Sequence, residues 1–158
     1  MSTRTVADYP RDAARSAHRA SVRRCALTVR PGVEASAELT EVPEPAAGEG
    51  DVLVETVALG ICGTDREIVA GEYGEAPDGA QRLVLGHESL GRVLEAPADA
   101  DLDAGDLVVG VVRRPDPVPC ANCAAGEWDM CRNGRYTEHS FKGLDGFARE
   151  RWRGSRTR

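Results

Sequence analysis

Between Cys25 and Trp152 the sequence predicts a mainly β fold, a small barrel or sandwich around one core. Short segments rich in β-branched residues recur along the chain: CALTVR, SAELTEV, DVLVETVALG, SLGRVLEA and DLVVGVV. Turn residues (Pro, Gly, Asp) separate them. A chain of 158 residues, 41% hydrophobic, buries one core and makes one domain.

Residues 1–24 carry six arginines and two aspartates and almost no large apolar residue, so they are expected to form a disordered extension. Their Arg and Ser content is faintly like a transit peptide, but the aspartates and the missing apolar face argue against one. The domain is expected to begin at Cys25, itself read as a small buried hydrophobe. Pro31-Gly32 punctuates the first two strands, and residues 43–51 read as a turn-rich loop. DVLVETVALG reads as a strand with Val52 and Val54 on one face. TDREIV (residues 64–69) reads as one or two helical turns, capped by Thr64 or Asp65. LVL leads to His87, and SLGRVLEA and DLVVGVV read as two further strands around the acidic loop PADADLDAG. Gly105-Asp106 is expected to turn into a buried strand.

The net charge of -6 gives the protein no basic footprint for nucleic acid. No run approaches the roughly 18 apolar residues of a membrane span, and no signal sequence is recognisable. Five cysteines, two of them in a Cys-x-x-Cys pair, fit a reducing compartment, where that spacing points to metal before disulfide. The expectation is a soluble, cytoplasmic domain.

Two groups of residues carry chemistry. Cys62 sits in a Gly-Cys-Gly turn, and His87 is followed by Glu88. Thiolate, imidazole and carboxylate are the donors a zinc ion takes when one position stays open for substrate, although a Cys and a His 25 residues apart say little by spacing alone. Cys120, Cys123 and Cys131, spaced C-x2-C-x7-C, form a stronger zinc signal; the alternative is three free thiols.

GICGTD followed by LVLGHESLGRVLE resembles the catalytic-domain motif of the zinc-dependent medium-chain dehydrogenases of alcohols, polyols and sugars. The resemblance runs from about Leu27 to Trp152. REI after GTD, RRPDP, CRNGRYTE and DGFARERW are most similar to the glucose 1-dehydrogenase branch. It implies a GroES-like β-barrel with a few short helices over residues 25–153, and a catalytic zinc on Cys62 and His87. Glu88 either completes that shell or sits just behind it. Thr64 matches a hydroxyl residue that contacts the substrate and relays its proton, and Asp65 a carboxylate that orients the imidazole. Glu138 matches a glutamate that hydrogen-bonds sugar hydroxyls; without the resemblance it reads as a surface residue.

The family's second zinc lobe usually reads C-x2-C-x2-C-x7-C. Here its first cysteine falls on Pro117, which makes the neighbouring Asp116 the choice for fourth ligand and His139 the less favoured one. The resemblance also implies NAD(P) as hydride acceptor, bound in a further domain; no Gly-x-Gly-x-x-Gly follows a strand here, and residues 154–158 read as a non-family tail. The expectation is thus the catalytic-domain portion of a sugar dehydrogenase, inactive alone. The alternatives are a non-catalytic zinc-binding fragment or interaction module, or the catalytic domain of a general alcohol or polyol dehydrogenase. Family members are homo-oligomers, and this chain is expected to self-associate through apolar surface.

Overall fold

The computed structural model describes residues 23–155. It is mainly β. In chain order it runs β1 (Arg23–Val29), β2 (Glu38–Pro43), a 3-10 turn (Ala47–Glu49), β3 (Val52–Gly60), α1 (Gly63–Val69), β4 (Leu83–Val84), β5 (Glu88–Glu95) and β6 (Leu107–Val108). Then follow β7 (Arg113–Arg114), α2 (Ala121–Ala124), a second 3-10 turn (Trp128–Met130), β8 (Thr137–His139), β9 (Gly143–Leu144) and β10 (Arg151–Gly154). The strands form three sheets, ordered β2-β1-β4, β10-β3-β5-β6 and β7-β8-β9. Only β8 and β9 pair in parallel.

The inner half of β1 is buried on both faces, with Val29 0% exposed. Ala26 and Thr28 point inward and are 1% and 2% exposed. Cys25 falls on the other face and is exposed, so it is not the buried hydrophobe its composition implied. Arg23 and Arg24 already belong to β1, placing the strand's start before Cys25. The rest of the expected N-terminal extension, residues 1–22, lies outside the described residues, as do residues 156–158 of the expected tail.

In DLVVGVV the expected strand is short. Pairing with β5 covers only Leu107 and Val108. Gly105 does turn, with φ +103°, but the strand it feeds is not buried: Leu107 is 57% and Val109 70% exposed. A β-branched run without a partner strand has no ladder to join.

Two apolar clusters hold the domain together. One gathers Ala26, Val29, Ile68, Leu83, Val84, Leu85 and Ala148; the other Val52, Val54, Val93, Phe147 and Trp152. Adjacent residues Phe147 and Ala148 enter different clusters and so lock the two together. The stretch around them also binds by its backbone. The N–H groups of Gly146, Phe147 and Ala148 donate to the carbonyls of Val84, Gly86 and Leu85, each at 2.7 Å. Gly86 has φ +88°, and a Cβ there would stand 3.0 Å from Ala148 N, so conformation and space both require glycine. Among the described residues no helix is long and apolar enough to cross a membrane.

Ile68, fully buried, fastens α1 to the first cluster. Replacing it with alanine should cost about 2–5 kcal/mol and lower the urea midpoint accordingly. An unchanged midpoint would mean that α1 is not held by this contact.

Candidate metal and substrate site

The antiparallel register of β3 and β5 explains how residues far apart in sequence meet. Gly60, the last residue of β3, pairs with Glu88, the first of β5. Cys62 follows the one and His87 precedes the other, so both emerge at the same end of the sheet. Cys62 is the N-cap of α1, and neither Thr64 nor Asp65 takes that place. Asp65, at the third helical position, reaches back instead: its Oδ2 accepts the Cys62 N–H at 2.9 Å.

Cys62 Sγ lies 3.2 Å from His87 Nε2. On the other side of the ring, His87 Nδ1 faces Asp65 Oδ1 at 3.5 Å. Both of those atoms are buried and neither makes a hydrogen bond. Asp65 is only 3% exposed. Cys62, Asp65 and His87 each offer a ligand atom within 4.8 Å of the others. The His87 ring stands edge-on to Phe141, 5.2 Å between centroids, a contact with no signal in the sequence. A thiol and an imidazole nitrogen facing one point, with a carboxylate behind the ring, is a donor set for a cation.

Glu88 is not in that set. It is exposed, and its carboxylate lies against Gly60, occupying the place a Cβ would take. It lines, with His87, an open cleft of about 440 Å³ that also includes Ser89, Val109 and Gly110. Thr64 is half-buried, and its hydroxyl makes no hydrogen bond among the described residues.

The three cysteines form a second set, again within 4.8 Å. Cys120 caps α2, Cys123 lies inside it, and Cys131 follows the second 3-10 turn. Cys120 and Cys123 sulfurs are 3.7 Å apart. The backbone N–H of Arg132, then that of Cys123, pulls the Cys120 thiol down to about 6. Burial pushes the Cys123 thiol up to about 11.

Asp116 is buried but stays outside the cysteine set. An Asx-type bond explains why: Oδ1 accepts the Val118 N–H at 2.7 Å, while Oδ2 is buried without a partner. His139, the less favoured fourth ligand, belongs to the barrel interior. Its Nδ1 donates to the Asp145 carbonyl at 2.6 Å, and its ring packs on Phe147, 4.7 Å between centroids. Burial holds its pKa below the ordinary imidazole value.

Glu138 is buried in β8, not a surface residue. Its Oε1 accepts the Arg113 Nε–H at 2.8 Å and pairs with Nη2 of the same guanidinium at 2.7 Å. Only the RRPDP motif hinted at this partner.

A β-rich domain with a Cys-His pair at one sheet end and a separate three-cysteine lobe defines a class. The family model of the alcohol dehydrogenase GroES-like domain matches residues 48–155, and the chain belongs to that family. Gly154 and Ser155, expected to lie in a non-family tail, fall within the match. The chain is similar to the glucose 1-dehydrogenase of Thermoproteus tenax, at 47% identity over 126 residues, 79% of this chain and 35% of the relative. That of Methanocella arvoryzae is 43% identical over 126 residues, with the same coverage. Among solved structures, the Haloferax mediterranei glucose dehydrogenase in complex with NADP, Zn and gluconolactone superimposes with TM-score 0.70 at 37% identity, covering 81% of this chain and 36% of that one. An alcohol dehydrogenase from Aeropyrum pernix gives 0.66 at 28% identity, covering 83% and 37%. The chain thus spans about a third of the length of these relatives.

In metal-free protein, Cys120 should react with iodoacetamide as its thiolate, half-maximally near pH 6, while Cys123 stays protected until about 11. Site-resolved mass spectrometry across pH reads this. A Cys120 midpoint near the ordinary 9.0 would contradict the assignment.

Proposed function

We propose that this chain is the metal- and substrate-binding portion of a zinc-dependent, NAD(P)-linked sugar dehydrogenase that oxidises glucose at its anomeric carbon. The observation that carries it is the 3.2 Å approach of Cys62 Sγ to His87 Nε2 with Asp65 behind the ring. The names of the relatives supply the substrate class.

In this reading Cys62, as thiolate, and His87, through Nε2, hold the catalytic zinc. A zinc ion at such a donor set supplies Lewis acidity toward an alcohol oxygen. Asp65 Oδ1, 3.5 Å behind the ring at Nδ1, is placed to orient the imidazole so that Nε2 faces Cys62. Glu88 stands beside the pair and approaches it only by turning away from Gly60. The unbonded Thr64 hydroxyl is free to accept the substrate's proton and pass it outward. Glu138 takes a sugar hydroxyl on Oε2, since Arg113 occupies Oε1. Cys120, Cys123 and Cys131 hold a second, structural zinc; Asp116, bonded to the Val118 N–H, lies outside that set. The domain boundaries proposed are an extension ahead of β1 and a catalytic domain through Ser155. NAD(P) is held by residues outside the third of the relatives that this chain matches. Five free cysteines suit a reducing, cytoplasmic location.

A chimera tests this. Residues 23–155 replace the matching part of the Thermoproteus tenax enzyme, and glucose oxidation is measured. The chimera should be active, and Glu138→Ala should raise KM for glucose about tenfold or more, the scale of one hydrogen bond to a charged group. A folded, zinc-loaded chimera that oxidises simple alcohols but not glucose would contradict the sugar reading.

A further inference from the structure

Arg113 faces two sites at once. Its Nε and Nη2 hold Glu138, while its Nη1 donates to the carbonyls of Asp129, at 3.0 Å, and Trp128, at 3.4 Å. Those carbonyls belong to the 3-10 turn that runs straight into Cys131. The guanidinium is itself held in place: its carbon sits 4.0 Å from the Tyr136 ring centroid. The same ring lies 3.8 Å from Lys142 Nζ, which donates to the Gly134 carbonyl at 2.7 Å. Among the described elements, this 3-10 turn packs on α2 within the cysteine lobe and on β7, the strand that carries Arg113. Among these elements the lobe thus meets the barrel at β7, the strand that carries Arg113.

We propose that Arg113 is a positioning residue that couples metal occupancy of the three-cysteine lobe to the setting of the Glu138 carboxylate. The inference rests on the proposed reading of both sites. Drawing Cys131 onto a metal with Cys120 and Cys123 fixes the carbonyls of Trp128 and Asp129. They in turn fix Nη1, and the planar guanidinium transmits that orientation to Nε and Nη2. A planar fork with donors on several sides can do this; the single ammonium of lysine cannot hold Glu138 and both carbonyls in one geometry. With the lobe empty, Arg113 keeps its charge but loses its anchor. The buried Glu138 carboxylate then has a mobile partner, and the sugar-facing oxygen loses its fixed direction.

The backbone of β8 reports this without any turnover. Glu138 N–H donates to the Lys142 carbonyl and His139 N–H to that of Val112, each at 2.9 Å. Hydrogen exchange of these amides is followed in the metal-free full chain and after adding zinc, with zinc per chain measured in the same samples. Zinc should slow exchange about tenfold, the scale of one restored charge-assisted hydrogen bond. The slowing should vanish in Arg113→Lys, which keeps the charge, and in Cys120→Ser, which breaks the lobe but leaves Cys62 and His87 intact. Zinc bound at the lobe with no slowing in the wild type, or equal slowing in Arg113→Lys or Cys120→Ser, would overturn the coupling while leaving the metal reading intact. If Cys120→Ser leaves zinc content unchanged, the lobe holds no zinc, and both the metal reading and the coupling fall.

Discussion

Leu85 is pinned on both sides of its backbone. Its N–H donates to the Leu27 carbonyl at 3.0 Å, and its own carbonyl accepts the Ala148 N–H at 2.7 Å. Its side chain is 3% exposed. With β4 just before it and Gly86 just after, this residue fixes the exit of the chain into His87. Ile68 seats α1 in the same cluster and so fixes Cys62 from the other direction. The 3.2 Å approach of thiol and imidazole is therefore set by apolar packing and backbone pairing around it, with little contribution from the two residues themselves. That is the usual economy of a metal site: the ligands cost stability when brought together empty, and the surrounding core has to hold them.

The two candidate metal sites differ in how they are held. Cys62 and His87 come from two strands and a helix joined by long-range pairing. Cys120, Cys123 and Cys131 come from one short stretch, whose geometry is set by α2, a 3-10 turn and local N–H to sulfur bonds. Local sites of that kind tolerate changes in the rest of the domain. The distant pair does not. Arg113 connects the two regimes, because one side chain bonds both the lobe's backbone and a buried carboxylate of the barrel.

Much of this was legible in the sequence where periodicity or a motif carried it. β1, β2, β3 and β5 announce themselves by β-branched, partly alternating segments long enough to read. β7 and β9, two residues each, do not, because strands that short are defined by their partners. Val109 and Val111 mislead for the same reason, having β propensity but lying outside any strand. Cys25 misleads because it lies at the exposed start of β1, while Val29 on the same face is buried. At the site, the GICGTD and GHE motifs identify Cys62, His87 and Asp65, but nothing local shows that Glu88 turns onto Gly60. Asp116 has a ligand's chemistry beside a proline that has none. Its bond to Val118, two residues on, holds the carboxylate apart from the three sulfurs.

Cys62 and His87 are proposed to hold one zinc, and the three cysteines a second. Zinc content per chain on freshly purified protein, beside the Cys62→Ala variant, tests it most directly. The account predicts about two zinc ions per chain, falling to about one in the variant. Zinc that is unaffected by Cys62→Ala, or no zinc at all, would contradict it.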